Sequence, residues 1–151
     1  YNFHIMLRVE IEMALLDGRV SVAELPDVWR AKMGEYLGVT PPDDRQGVLQ
    51  DIHWSSGNIG SFCTYTVGNV MSVQLFQAAR QAVPALDDAL AAGDYAPLRA
   101  WLTENMYRHG RAFGVNELLT RTTGRGLDVD PYLTYLETKY SDLYLSGGSA
   151  A

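Results

Sequence analysis

Cysteine is almost missing from this chain of 151 residues: Cys63 is the one thiol. That excludes an intrachain disulfide and any zinc site built on several thiolates. It suits a reducing compartment, with the cytoplasm as the default expectation. Cys63 lies between Phe62 and Thr64 in an apolar stretch, which predicts a buried packing role rather than a nucleophile. Long apolar runs are missing as well. None approaches the roughly 20 residues that a membrane span requires. Basic character is in deficit, with 12 Lys and Arg against 18 Asp and Glu and a net charge of −6. That balance disfavours nucleic acid and anionic membranes as partners, since both need a basic face. The densest basic group, Arg108, His109 and Arg111, reads as the solvated end of a helix. The opening Tyr1-Asn2-Phe3-His4 has no starting methionine, no basic-then-apolar leader and no cap. It reads as an internal point of a longer protein.

Several catalytic signatures are absent too. There is no HExxH and no pair of histidines within one helical turn. His4, His53 and His109 are far apart, so a three-histidine metal site is not expected. A Gly-rich phosphate loop and a Gly-x-Ser-x-Gly elbow are also lacking.

What is present is an ordinary globular composition, 47% apolar and 20% charged, in a chain long enough for one hydrophobic core. The expected fold class is all-α. Residues 3–16 alternate like a strand, yet Phe3, Leu7, Ile11 and Ala14 also share a helical face. Length and the lack of a partner strand favour helix, ended by Asp17-Gly18. Ser21 and Glu24 form a capping-box pattern ahead of a helix through Trp29 and Met33, stopped at Gly38. Pro26 falls in its first turns and weakens that start. Thr40-Pro41-Pro42 reads as a stiff loop, and a short helix is possible from Asp43 and Asp44.

A long helix is expected over 58–83, with apolar stripes Val70, Val73, Gln77 and Met71, Leu75, Ala78. Gly60 and Gly68 would lie inside it, each costing about 1 kcal/mol against Ala, which suggests close approach of a backbone or ligand. Shorter helices follow over 86–92 and 95–109, the second with Leu98, Trp101, Leu102 and Met106 on its apolar face. Asn116 is a candidate cap for a turn running to Arg121. Asp130-Pro131 opens a last helix whose apolar face is Leu133, Leu136, Tyr140 and Leu143. Ser146-Gly147-Gly148-Ser149 reads as a frayed tail. No repeat or linker divides the chain.

The one dense polar patch in an apolar context is Gln50, Asp51, His53 and Trp54. On a loop, Asp51 and His53 would share a side, and the carboxylate could orient the imidazole. On a regular helix they would diverge by about 200°. Chemistry alone leaves open a second reading, a helix end whose histidine satisfies a buried hydrogen bond.

Gly47-Val48-Leu49-Gln50-Asp51-Ile52-His53-Trp54 matches GxxQDxHW, and in this the chain resembles the thermostable carboxypeptidase Taq family of HExxH metallopeptidases. Asn2 to Arg8 resembles the segment after that family's IRxxAD motif. Phe62, Thr64, Tyr65 and Gly68-Asn69 resemble its Gly-Tyr-Phe-Pro-Thr-Tyr stretch and the Leu-Gly-Asn beyond it. Thr123-Gly124, Asp130-Pro131-Tyr132, Tyr135-Leu136 and Lys139-Tyr140 resemble its C-terminal helix. The likeness runs in order along essentially the whole chain.

The resemblance implies a single helical segment, residues 1–151, forming the C-terminal part of a larger zincin-like, groove-forming catalytic domain. It implies zinc, or another divalent metal, held upstream by the HExxH histidines and a glutamate, with the HExxH glutamate activating a water. No such ligand is expected here, and the isolated segment is expected to be inactive. His53 and Tyr65 would stand over the scissile carbonyl as catalytic groups. Gln50, Asp51 and Trp54 would support them or border the substrate. The implied partners are peptide substrates, the N-terminal part of the same enzyme and a second copy in a homodimer. Ser61, Cys63 and Tyr107 depart from the family's usual Tyr, Pro and His. The competing reading is a non-catalytic helical binding or dimerisation module that retains the scaffold.

Overall fold

The structure is a computed structural model that describes residues 1–145, so the expected tail at Ser146–Ser149 lies outside the described residues. All regular elements among the described residues are helical: α1 (Asn2–Leu16), α2 (Leu25–Leu37), α3 (Cys63–Ala82), α4 (Leu86–Ala91), α5 (Ala96–Asn105), α6 (Val115–Thr123) and α7 (Asp130–Tyr144). Single 3-10 turns stand at Val48–Gln50, Trp54–Ser56 and Tyr107–His109. The chain forms two compact units, Tyr1–Val67 and the residues from Gly68 onward.

In the first unit α1 is helical, and its ambiguous alternation resolves by burial. Ile5, Leu7, Ile11, Glu12 and Ala14 are buried, while Phe3, expected on that face, is exposed. Gly18, at φ +70°, ends the helix in the left-handed conformation, and the Arg19 amide closes back on the Ala14 carbonyl at 2.9 Å. The capping box forms: the Ser21 amide donates to Glu24 Oε2 at 2.9 Å, and the Glu24 amide reaches Ser21 Oγ at 3.4 Å. Pro26 then sits in the first turn of α2, where a missing N–H removes no helical bond. Leu7, Ile11, Trp29 and Val48 make the core, with Leu15, Met33, Tyr36 and Trp54 packed around it. The core therefore joins α1, α2 and the first half of the 47–54 motif.

In the second unit the buried positions of α3 are Val70, Gln74 and Ala79. α3 starts at Cys63, later than the sequence predicts, because Gly57 and Gly60 take left-handed conformations at φ +75° and +78°. Gly60 therefore lies before the helix, and Gly68 lies in it with open space around its missing Cβ, so no close approach explains it. Cys63 is exposed at the helix start rather than buried.

Gln74 replaces the expected Gln77 as the inward polar residue. Its amide nitrogen donates to the Gly126 carbonyl at 2.9 Å, and its oxygen accepts the Asp128 amide at 3.1 Å. Asn116 lies inside α6 rather than capping it, and its Oδ1 accepts the Leu127 amide at 2.8 Å. The helix expected over 95–109 breaks at Met106, whose backbone leaves helical geometry before the 3-10 turn. On α7, Leu136 is half-buried, but Leu133, Tyr140 and Leu143 are exposed, so most of its expected apolar face is left uncovered by the described residues. No described helix is long and apolar enough to cross a membrane.

Candidate active-site wall

The 47–54 motif is a turn-rich segment, which settles how Asp51 and His53 relate. Gly47 is buried, and a Cβ there would meet the Asp43 carbonyl at 3.1 Å and the Pro41 ring at 3.2 Å, so the close approach requires glycine. Val48 enters the core. Asp51 ends the first 3-10 turn in extended backbone, φ −75° and ψ 118°. Its Oδ1 accepts the amides of His53 at 2.8 Å and Trp54 at 3.1 Å, an Asx-type turn that starts the next 3-10 turn. The two side chains thus share a side because the backbone is not a regular helix.

Asp51 is charge-balanced from α1. Arg8 Nη1 lies 2.9 Å from Asp51 Oδ2, with side chains 12% and 1% exposed. The contact is an ion pair without good hydrogen-bond angles: Asp51 Oδ2 and Arg8 Nε are both buried and lack an aligned partner. The guanidinium lies over the rings of Trp29 and Phe62, at 5.5 and 5.2 Å, where a planar cation is favoured. His53 Nδ1 is 3.6 Å from the same Oδ2, just beyond hydrogen-bond reach. His4, edge-on to Trp29 at 5.9 Å, lies on the Arg8 face of α1. Burial first, then Arg8, holds its imidazole below the ordinary histidine range, while Asp51 acts in the opposite sense.

His53 Nε2 and Tyr65 Oη are 3.0 Å apart. The rings meet edge to face at 6.0 Å, and the His53 ring rests 5.0 Å from Phe62, which is 1% exposed. Tyr65, in the first turn of α3, is 42% exposed, so the pair has a buried back and an open front. Trp54 packs edge-on against Trp29 and Phe62. Gln50 does not join this group: it is exposed, and its amide donates to the Arg45 carbonyl. Among the departures, Ser61 has a buried hydroxyl without a partner, and Tyr107 is exposed in its 3-10 turn.

Two participants escaped the sequence reading, Arg8 and Glu12. Glu12, 6% exposed, accepts the Trp54 indole N–H at 2.9 Å and the Gly60 amide at 2.7 Å. The available signal was the spacing of His4, Arg8 and Glu12, which stacks three ionisable groups on one face of an apolar helix.

The donor set does not fit a metal centre. Among the described residues no group of three His, Cys, Asp or Glu side chains is placed to hold one. Asp51 is taken up by Arg8 and two backbone amides, and His53 Nε2 by Tyr65.

The sequence model for the carboxypeptidase Taq (M32) metallopeptidase family matches residues 1–140. Carboxypeptidase 1 of Bacillus subtilis is 40% identical over 145 residues, covering 96% of this chain and 29% of that protein. Thermostable carboxypeptidase 1 of Thermus thermophilus is 40% identical over 144 residues, covering 95% of this chain and 28% of that protein. Among solved structures, the M32 carboxypeptidase from Deinococcus radiodurans superposes with a TM-score of 0.87 at 46% identity, over 95% of this chain and 29% of that one. The chain thus spans less than a third of the length of these relatives. It belongs to the carboxypeptidase Taq (M32) metallopeptidase family.

Proposed function

We propose that this chain is the C-terminal part of a metal-dependent carboxypeptidase and forms the wall facing the metal, with His53 and Tyr65 directed at the scissile carbonyl. The observation that carries this reading is the 3.0 Å His53–Tyr65 pair, open in front and backed by Phe62. With its hydrogen on Nδ1, facing Asp51, the imidazole accepts from Tyr65, and the Tyr65 hydroxyl is the donor that turns to a carbonyl. With the hydrogen on Nε2, the pair holds one N–H and one O–H, and a carbonyl oxygen can receive either. In both states a neutral donor meets charge that grows in the transition state, which is where a hydrogen bond accelerates the reaction. Asp51 orients the imidazole, Trp54 packs behind it, and Gln50 borders the substrate. An HExxH segment outside this chain would hold zinc, which would supply Lewis-acid activation of water in the complete enzyme. The substrates are peptides shortened from the C-terminus, the complete enzyme is a cytoplasmic homodimer, and the chain by itself is inactive.

The test is made in the full-length enzyme. His53→Ala and Tyr65→Phe are expected to lower kcat by about 100- to 1,000-fold, as loss of an oxyanion donor does, with bound metal unchanged. Loss of metal from His53→Ala would make His53 a ligand instead. Unchanged turnover in both variants would overturn the catalytic roles given to His53 and Tyr65.

A further inference from the structure

The segment between Asp51 and Phe62 carries His53 yet has one 3-10 turn as its only regular structure. Such a segment holds a catalytic geometry only if something external fixes it. Arg8 fixes its start through Asp51. From Trp54 to Gly60 it is tied to α1 by one side chain. Glu12 Oε2 takes the indole N–H of Trp54, 42 positions away, and Oε1 takes the amide of Gly60, 48 positions away. Trp54 opens the 3-10 turn Trp54–Ser56, and Gly60, beyond its end, presents its N–H from a left-handed conformation at φ +78°.

We infer that Glu12 is a positioning residue for the His53–Tyr65 pair, acting through the indole of Trp54; this rests on the catalytic reading of that pair. Glu12 is 6% exposed and cannot meet a peptide. Its effect passes through packing: Trp54 lies edge-on to Phe62 at 5.6 Å, and Phe62 backs the His53 ring at 5.0 Å. The chemistry demands a carboxylate. Both partners are donors, and a carboxylate accepts at both oxygens. An amide has one oxygen, so its NH2 would face a donor and displace either the indole or the Gly60 amide. Displacement on the order of 1 Å is enough to cost up to about 100-fold in rate.

The experiment uses the metal-loaded full-length enzyme with Glu12→Gln, Trp54→Phe, the double variant and His53→Ala, each measured well below its melting temperature. Glu12→Gln is expected to lower kcat about 10-fold with KM and metal content nearly unchanged. Trp54→Phe, which removes the indole donor, is expected to do the same. The double variant is expected to be no slower than either single one, because the opposed donors are gone. Multiplicative losses in the double variant would overturn the inference. So would a lowered melting temperature with unchanged kcat in Glu12→Gln, provided that His53→Ala abolishes turnover. Unchanged kcat in His53→Ala would instead sink the reading on which the inference stands. Should Glu12→Gln fail to fold, Trp54→Phe decides: a 10-fold fall at constant KM supports the coupling, and wild-type turnover overturns it.

Discussion

Asp51 shows how much of the candidate wall depends on one carboxylate. It turns the backbone through the His53 and Trp54 amides, offsets the largely buried Arg8 charge and faces His53 Nδ1. Asp51→Asn keeps the shape but places an amide where Arg8 needs an anion. Stranding a buried charge is expected to cost about 3 kcal/mol, measured by denaturant unfolding, and to lower kcat in the full-length enzyme. A stability change within 0.5 kcal/mol, the range of ordinary surface substitutions, would show that the pair is immaterial. The Asp51–His53 relation was legible in the sequence only as a condition: it held if the segment was not a regular helix. The pairing of His53 with Tyr65, 3.0 Å apart, was suggested by the family resemblance and not by local chemistry. Arg8 and Glu12 were not legible from the motif. Their partners lie about 40 or more positions away, and nothing local to 47–54 points to α1.

At the scale of elements, the ends of helices were easier to read than their faces. Gly18 and Gly38 stop α1 and α2 where the sequence placed them, because left-handed backbone favours glycine in any setting. Faces failed where a polar residue turned inward, as at Gln74, or where the described residues leave apolar side chains exposed, as on α7. The glycines of the second unit separate the two cases. A Cβ on Gly126 would meet Asn116 Oδ1 at 2.4 Å, beside the bond that holds the Leu127 amide, whereas Gly68 has open space. Gly68→Ala is expected to raise stability by about 0.5–1 kcal/mol and Gly126→Ala to lower it, read as opposite shifts in thermal melts.

The joint between α1 and α2 has a pH window. Lys32 and Tyr36 donate to Glu10, and the Lys32 bond first of all holds that carboxyl below its ordinary value of 4.5. A lowered carboxylate stabilises the fold above the unfolded value and ceases to do so as pH falls through the folded one. Lys32 is raised above 10.5 by the same bond, so its share is present below that value and is lost as pH rises through the folded one. Glu10→Gln is expected to lower Tm by about 1–3 °C between about pH 6 and 9, and the difference should close in acid. A gap that persists in acid would mean that packing, not charge, makes the joint.

For the whole molecule, the decisive fact is that the chain spans less than a third of its relatives, while its described residues contain no group fit to hold a metal. Leu49 and Ile52, within the motif itself, are 69% and 72% exposed, an unusual outward setting for apolar residues beside a buried Asp51. On the function proposed above, other residues bring the metal and cover this surface. The consequence is measurable by linkage, because a ligand bound only to the folded state raises Tm with its concentration. Zinc or a chelator added to the isolated chain is expected to move its melting temperature by less than about 1 °C, since no site gains occupancy. In the complete enzyme the same chelator should abolish turnover, and restored metal should return it. A stoichiometric, saturable rise in Tm of this chain with zinc would place ligands within it. The wall would then have to be redrawn around them, with His53 the first residue to reassign.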